Sequence, residues 1–386
     1  MVTLSRPAAL NSLTQEMLSL LTPLTTILSS AVIVRGAGGK AFCAGGDVRA
    51  VAALRGHPQQ IDFFRDEYHL DWALAHHAAT KAPHIALWDG IVMGGGIGIS
   101  ASATFRIATE RTVWAMPETG IGLVPDVGGS FVLPRLPVVT GGRAGGPKAG
   151  LGAFLGLTGG RLAGADAVHA GAASHFMPSS HIAALVADLG SSDIPNVTTP
   201  YAQRLAAVAR CVARYATPVD ALPAFSLASG TAMGGVIERA FGISEGGAKG
   251  LFRRLNGEVL KGGLSGSAAA AALATLSRMS PVSLCLTVEQ LRRGAAPEAT
   301  LGACMAMELR VVKSILTAQN SDFYEGIRSV LVDKGKGSPP QWTPARIEDV
   351  DEQAIIKAYF DGGEGDSGDR AMDDEAAAIR KLGSHV

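Results

Sequence analysis

The stretch HIALWDGIVMGGGIGI, residues 84–99, indicates the fold class of this chain. Its first five residues, His84–Trp88, form an apolar run with the length of a buried strand. The glycines at 94–96 then interrupt the pattern, and an apolar, helix-like run begins at Ile97. Strands that alternate with helices in this way predict an α/β core.

The same unit recurs on both sides of this stretch. Further strands are predicted at residues 2–4, 31–35 and 105–108. Helices are predicted at residues 48–54 and at about 128–134. Another is predicted after Asn11 or Ser12, either of which can cap it, and Pro23 marks its last turn or a kink. We expect the α/β core, residues 1–190, to close near residue 190.

Beyond residue 190 the sequence patterns are helical. Segments 280–293 and 301–316 carry apolar residues at three- and four-residue intervals, and the Ala/Gly-rich segment 246–272 has no strand pattern. We therefore predict a helical region over 191–360. The acidic, glycine-containing segment 361–386 predicts a solvated, mobile tail, with an interaction tail as the alternative, and the glycine-rich insertion 141–147 predicts a surface loop.

Composition excludes several classes of protein. The 386 residues include 34 Lys and Arg against 34 Asp and Glu, so no net field attracts nucleic acid or an anionic membrane. The 4 cysteines contain no C-x-x-C pair, which favours a reducing compartment over a disulfide framework. No apolar stretch has the length of a transmembrane span, and no targeting segment is recognisable at the N-terminus.

Two glycine turns resemble nucleotide-binding loops but lack their spacing. Residues 36–40 do not complete a phosphate-binding loop, and residues 94–99 lack the third glycine of a dinucleotide turn. The turn at 94–96 instead offers free N–H groups at a helix start, and the turn at 45–47 offers a second set. Such a pair can stabilise the oxyanion of a thioester or ester, whereas the alternative for each turn is close packing of helix on strand.

Carboxylates supply the other chemistry that the sequence suggests. Glu118 and Asp126 lie in an apolar, Gly/Pro-rich segment without Lys or Arg, where a raised pKa suits proton transfer or nucleophilic attack. Asp126 could instead cap the following helix, and Glu67 belongs to a charged helical stretch that would ordinarily be exposed. We find no metal-ligand pattern and no G-x-S-x-G nucleophile elbow.

Three segments together resemble one family. KAFCAGGD at 40–47, GIVMGGGIG at 90–98 and AMPETGIGLVPDVGG at 115–129 have the order and spacing typical of the crotonase (enoyl-CoA hydratase/isomerase) superfamily. Within it, the match is closest to the 3-hydroxyisobutyryl-CoA hydrolases. Matching segments at 63–68, 157–159, 279–284 and 322–328 extend the resemblance from about residue 5 to about residue 360.

The resemblance implies both a fold and a site. The fold would be a crotonase-like spiral of ββα units with a helical C-terminal region. Gly46 and Gly95 would form the oxyanion hole, Glu118 and Asp126 would be catalytic, and Glu67 would help to bind the acyl group. Gly98 stands where hydratases carry their first catalytic glutamate, which disfavours hydration of a double bond. No cofactor and no metal are implied, since CoA is part of the substrate.

The expected function is hydrolysis of 3-hydroxyisobutyryl-CoA, and of 3-hydroxypropionyl-CoA as a second substrate, in valine catabolism. Two alternatives stay open: a non-catalytic, hydrolase-like subunit of the mitochondrial ribosome, and an enoyl-CoA hydratase or isomerase. The resemblance also implies a homo-oligomer, located in the mitochondrial matrix if the source is eukaryotic and in the cytoplasm otherwise. Because the family normally has a strand pair before the segment matched by residues 2–7, and in eukaryotes a leader, we expect the first layer to be truncated.

Overall fold

The structure is a computed structural model that describes residues 1–136, 139–140, 143–144, 149–191, 194–243, 246–334 and 336–361. The acidic tail beyond residue 361 lies outside the described residues. So does the predicted loop at 141–147, apart from residues 143–144.

The strands form two main sheets. Each of the repeated units contributes one strand to the first sheet and one to the second. The strands are β1 Val2–Leu4, β2 Val32–Gly36, β3 Ala41–Cys43, β4 His84–Trp88, β5 Ile91–Met93, β6 Phe105–Ala108, β7 Val113–Ala115, β8 Val139–Thr140, β9 Arg143–Ala144, β10 Leu162–Ala163 and β11 His175–Phe176. One sheet has the order β1-β2-β4-β6-β11 and the other β10-β7-β5-β3, while β8 and β9 pair with each other. Successive units thus place β2 and β3, β4 and β5, and β6 and β7 in alternate sheets, which is the expected ββα spiral.

The parallel pairing explains why the strands of the first sheet are so apolar. Every pair in that sheet is parallel, as in the register of Ile33 with Ile85 and of Ile85 with Phe105. All five residues of β4 are buried, because helices or the second sheet cover both faces. In the second sheet only β10 runs antiparallel to its neighbour.

The helices occupy the connections and the C-terminal half. They are α1 Gln15–Leu21, α2 Val48–Ala53, α3 Gln59–Thr80, α4 Gly95–Ala101, α5 Gly129–Val132, α6 Ala149–Thr158, α7 Gly164–His169, α8 Ile182–Leu189, α9 Tyr201–Ala213, α10 Ala232–Ala240, α11 Gly247–Leu260, α12 Gly263–Leu276, α13 Pro281–Gly294, α14 Leu301–Thr317, α15 Asp322–Gly326 and α16 Glu352–Phe360. A π-helical turn, Ile327–Val332, follows α15. In the described part of the chain no single helix could cross a membrane, although the bent pair α12 and α13 would qualify if taken together.

One hydrophobic core joins the spiral to the C-terminal helices. Buried residues from Leu4 in β1 to Phe360 in α16 belong to the same cluster. The helices α13 and α14 pack against α5, and α14 also packs against α3. Because α3 and the segment before α5 carry candidate site residues, the C-terminal helices directly support the site.

Two local predictions were wrong. The first helix is capped by Thr14, whose hydroxyl accepts from Met17 N at 3.3 Å, and not by Asn11 or Ser12. The side chain of Asn11 instead donates to Ala41 O at 2.8 Å and so fastens the first loop to β3. The short strands β3 and β5 were missed by the sequence pattern, since three residues between glycines show no periodicity.

Candidate active site

A cavity of about 610 Å³ opens between the glycine turns of the spiral and the C-terminal segment. The structure brings all five predicted site residues into its wall, namely Gly46, Glu67, Gly95, Glu118 and Asp126. The rest of the wall is mostly apolar and includes Phe63, Leu123 and, from the π-helical turn, Leu331. A polar cluster in such surroundings is the usual form of a small-molecule site.

The two glycine turns lie against each other. Gly45 and Asp47 are held by Leu13, which donates to Gly45 O at 2.9 Å and accepts from Asp47 N at 2.8 Å. A Cβ atom on Gly45 would lie 3.7 Å from the backbone nitrogen of Gly95 at the start of α4. Within the described residues, the amides of Gly46 and Gly95 donate no hydrogen bond. Both are therefore available to a ligand oxygen in the cavity.

Glu118 begins the 3-10 turn that follows β7, and its carboxyl group faces the glycine turn of α4. A Cβ atom on Gly94 would lie 3.2 Å from Glu118 Oε1. The residue is buried, and Oε2 has no hydrogen-bond partner among the described residues. Burial raises the pKa of Glu118 well above its usual value, and the charge of Asp126 raises it further.

Glu67 on α3 reaches across to both glycines of the predicted oxyanion hole. A Cβ atom would lie 2.0 Å from Glu67 Oε1 if it were added to Gly95, and 3.8 Å if it were added to Gly46. Its carboxyl group thus occupies the space that a side chain at position 95 would need. The side chain is buried, so the alternative interpretation of Glu67 as part of an exposed face is wrong. Burial, followed by the charge of Asp126, raises the pKa of Glu67 well above its usual value.

Asp126 follows Pro125 in the loop before α5. Tyr68, next to Glu67 on α3, donates its hydroxyl to Asp126 Oδ2 at 2.7 Å. Burial raises the pKa of Asp126 to about 6, and the Tyr68 hydrogen bond opposes that rise. The alternative in which the Asp126 side chain caps the following helix is wrong, because α5 begins after Gly128 and has no side-chain cap.

Three buried residues of this region were not predicted from the sequence. Tyr68 is one, and Asp71, one helical turn after Glu67, is the second; both Asp71 oxygens lack a partner in the described structure. A Cβ atom on Gly98 would lie 2.3 Å from Asp71 Oδ2, so Asp71 fills the space beside that glycine. The third is Glu308 on α14. The four-residue spacing of Glu67 and Asp71 is a signal that could have identified Asp71, whereas no local signal marks Glu308.

The charges that act on these acids come from other acids. Glu67, Asp126 and Glu308 raise the pKa of Asp71 after burial, and the same three groups raise that of Glu118. Buried carboxylates without a counter-charge hold protons near neutral pH. Hydrogen-bond donors oppose the effect of burial at two of these acids: Tyr68 limits the pKa of Asp126 to about 6, and Ser130 and the Gly128 N–H limit the pKa of Glu308 to about 8. Neither oxygen of Asp71 has a donor in the described structure, and one oxygen each of Glu67 and Glu118 lacks one. No cluster of three or more potential metal ligands was found within the described ranges.

A second groove, of about 890 Å³, continues from the cavity. The two share Ala44, Gly46, Val48 and Leu331 in their walls. The groove is lined by three arginines, Arg6, Arg49 and Arg328. Arg6 pairs with Asp47 at 3.0 Å, and Arg328 pairs with Glu325 and Asp333. A mostly apolar cavity joined to a groove that carries arginines suits a ligand with an acyl end and a phosphorylated end.

Comparisons with known proteins agree with this arrangement. The sequence profile of the enoyl-CoA hydratase/isomerase family matches residues 1–360. A protein of Danio rerio named 3-hydroxyisobutyryl-CoA hydrolase, mitochondrial, is 39% identical over 368 residues, covering 93% of this chain and 86% of that protein. The human protein of the same name is 35% identical over 374 residues, covering 95% of this chain and 87% of its own.

Solved structures share the fold over nearly the whole chain. A carnitinyl-CoA dehydratase from Mycobacterium thermoresistibile has a TM-score of 0.75 at 30% identity, covering 95% of each chain. An enoyl-CoA hydratase from Rhodobacter sphaeroides has a TM-score of 0.71 at 32% identity, covering 92% of this chain and 93% of its own. The similarity therefore includes the C-terminal helices as well as the spiral.

Proposed function

The chain belongs to the enoyl-CoA hydratase/isomerase (crotonase) family, and from this premise we propose that it hydrolyses 3-hydroxyisobutyryl-CoA to 3-hydroxyisobutyrate and CoA. That it is a CoA-thioester hydrolase follows from relatives of that name, such as those at 38% and 39% identity over 93% of the chain. The observation that carries the finer proposal is the convergence of Glu67, Glu118 and Asp126 on the two glycine turns in one cavity.

The amides of Gly46 and Gly95 polarise the thioester carbonyl in this proposal. They donate to its oxygen and stabilise the negative charge that develops when the carbonyl carbon is attacked. Loss of one such donor typically slows a reaction by about 100- to 1,000-fold. Glu67, whose carboxyl group lies beside both glycines, contacts the acyl group bound there.

Glu118 acts on the carbonyl carbon in one of two ways. Its carboxylate attacks, the C–S bond breaks, CoA leaves as the thiol after taking up a proton, and water then hydrolyses the mixed anhydride. Alternatively, Glu118 takes a proton from a water molecule that attacks directly. Asp126, which accepts from Tyr68, orients the 3-hydroxyl group or transfers a proton.

The same cavity is a poor site for hydration of a double bond. Gly98 provides no carboxyl group, and Asp71 occupies the volume beside it, 2.3 Å from where a Cβ atom would lie. A glutamate at position 98 would therefore collide with Asp71. The geometry supports hydrolysis over the hydratase or isomerase alternative.

The groove lined by Arg6, Arg49 and Arg328 holds the phosphates of CoA in this proposal, with the pantetheine arm passing Val48 and Leu331. The two candidate substrates differ little in structure, since 3-hydroxypropionyl-CoA lacks only one methyl group of 3-hydroxyisobutyryl-CoA. Such a difference is worth about 1–3 kcal/mol in an apolar pocket. We expect both thioesters to be hydrolysed, and the branched one faster.

The decisive experiment is a thioesterase assay of the purified chain with both substrates. Glu118→Gln should lower kcat by about 100-fold or more, because the amide can neither attack nor accept a proton. Glu258→Gln is the matched control, since Glu258 is equally buried, at 5% exposure, but does not line the cavity. Wild-type activity in Glu118→Gln would remove Glu118 from both mechanisms.

Single turnover in heavy-oxygen water tests for the anhydride. Label that enters the Glu118 carboxyl group requires the anhydride, opened by water at the glutamyl carbon, whereas label found only in the product is expected for direct attack of water or for an anhydride opened at the acyl carbon. Absence of thioesterase activity together with sedimentation on ribosomal particles would support the scaffold alternative. Turnover of crotonyl-CoA would support the hydratase alternative.

Relatives named mitochondrial suggest where such an enzyme works. We propose the mitochondrial matrix if the source is eukaryotic and the cytoplasm otherwise, with a role in valine breakdown. A homo-oligomer is part of the same proposal, and sedimentation equilibrium of the purified chain tests it.

A further inference from the structure

Asp126 lies in a backbone segment that is held in an unusual conformation. Val127 has φ 50°, in the left-handed region that β-branched residues rarely adopt, and Gly128 follows with φ 85°. Such a conformation persists only where surrounding contacts impose it. The direction of the Asp126 side chain therefore depends on whatever fixes the residues on either side of it.

Those contacts come from the C-terminal helices. Glu308 on α14 accepts from Gly128 N at 2.7 Å, from Ser130 N at 2.8 Å and from the Ser130 hydroxyl at 2.5 Å. On the other side, Gln290 on α13 donates its amide to Pro125 O. Glu308 and Gln290 are both completely buried.

We propose that Glu308 and Gln290 are positioning residues, which clamp the backbone before and after Asp126 and so hold its carboxyl group against Tyr68 and the acyl site. This inference rests on the role proposed for Asp126 in hydrolysis. It makes the C-terminal helices part of the catalytic unit, although neither side chain lines the cavity.

Glu308→Gln tests the clamp with little change of shape. The amide has one acceptor oxygen, so its NH₂ group must face the N–H of Gly128 or of Ser130. One of the two backbone hydrogen bonds that fix the turn is then lost. We expect kcat to fall by about 10- to 100-fold, while KM changes by less than about threefold. Glu289→Gln is the matched control, because Glu289 is a buried glutamate that pairs with Arg292 and Arg293 of its own helix.

Gln290→Met tests the other side of the clamp and serves also if Glu308→Gln does not fold. It removes the donor to Pro125 O at nearly constant volume, and the same fall in kcat is expected. Its control is Thr287→Val on the same helix, where the buried hydroxyl has no partner among the described groups. Thr287→Val should leave kcat unchanged.

The readout that separates positioning from a structural role is the double variant with Asp126→Asn. If Glu308 acts through Asp126, adding Glu308→Gln to Asp126→Asn should lower kcat by less than about threefold more. A full multiplicative loss in the double variant, or an unchanged kcat in Glu308→Gln alone, would overturn the clamp. Full activity in Asp126→Asn would instead overturn the proposed role of Asp126, on which the clamp depends.

Discussion

At the scale of single residues, the site is a set of buried acids, and in the proposed mechanism their titration governs the rate. In that mechanism Glu118 must lose its proton to attack or to accept one from water, and burial together with the Asp126 charge raises its pKa. The pKa of Asp126 is raised to about 6. Since these groups interact, their titrations appear as macroscopic steps of the whole set.

The first prediction concerns the pH dependence of hydrolysis. The active form of Glu118 is the anion, so a raised pKa means that kcat/KM increases with pH well beyond the usual range of a glutamate. We expect a step near pH 6 from Asp126, and a second step from Glu118 that is displaced upward from the usual pKa of a glutamate. Measured profiles of kcat/KM for the wild type and Asp126→Asn check this, since only the variant should lack the lower step. A flat wild-type profile across this range would contradict it.

The second prediction concerns Gly95. A methyl group there would lie 2.0 Å from Glu67 Oε1, so Gly95→Ala must displace either Glu67 or the turn that carries the amide. We expect a loss of about 100-fold or more in kcat/KM. Gly257→Ala in α11 is the control, because its Cβ atom meets nothing within 4 Å. That control should keep full activity and gain about 0.5–1 kcal/mol in free energy of unfolding.

The third prediction concerns Asp71, whose pKa is raised by burial and by neighbouring acids. The folded protein keeps a proton there that the unfolded chain releases above its usual pKa of about 4. Stability is therefore lost as pH rises from that value, by up to about 1.4 kcal/mol per pH unit. Asp71→Asn carries no such proton, so its free energy of unfolding should exceed that of the wild type increasingly toward alkaline pH.

Urea unfolding at several pH values measures this difference. The exposed Asp220 offers a control. The free energy of unfolding of Asp220→Asn should change with pH as that of the wild type does. A constant difference between Asp71→Asn and the wild type would show that Asp71 is ionised at all these pH values.

At the scale of elements, the N-cap residues of α13 and α14 differ in how many hydrogen bonds they form near the site. Ser280 caps α13 by accepting from Ser283 N at 3.1 Å, and its hydroxyl also donates to buried Asp322 at 2.6 Å. Thr300 caps α14 and accepts from Ala303 N at 3.2 Å. Both helices carry a clamp residue, but only Ser280 also satisfies a buried acid.

Ser280→Ala should therefore cost more than Thr300→Ala. The lost cap is worth about 1 kcal/mol in each, and loss of the donor to Asp322 adds about 1–3 kcal/mol in the first. Urea unfolding of the two variants, followed by circular dichroism, measures the difference. Equal losses would mean that Asp322 finds another donor.

At the scale of the whole molecule, the spiral and the C-terminal helices share one core. The cluster of buried residues extends from Leu4 to Phe360. At the site, Gln290 and Glu308 of the C-terminal helices also form hydrogen bonds to the backbone around Asp126. We expect the C-terminal helices to unfold together with the spiral. Loss of activity and loss of helical circular dichroism should coincide in urea; an earlier loss of helix with activity retained would contradict a common unit.

Much of the fold was predictable because the signals are local. A strand followed by glycines and a helix is visible within fifteen or so residues, as at 84–99, and the structure places β4 and α4 there, with the missed strand β5 between them. Residues Glu118 and Asp126 were recognisable as acids in an apolar segment without cations, and both lie in the cavity wall. Their individual catalytic roles stay predictions.

The sequence by itself determined the alternation of strands and helices, the two glycine turns and the acids beside them, because each depends on neighbours a few residues away. Only the tertiary structure decided which acids are buried together, that Asp71 fills the space at Gly98, and that Glu308 holds the turn after Asp126. Glu308 and Gly128 are separated by 180 residues. A hydrogen bond across that distance depends on how whole elements pack, and no local pattern of residues encodes it.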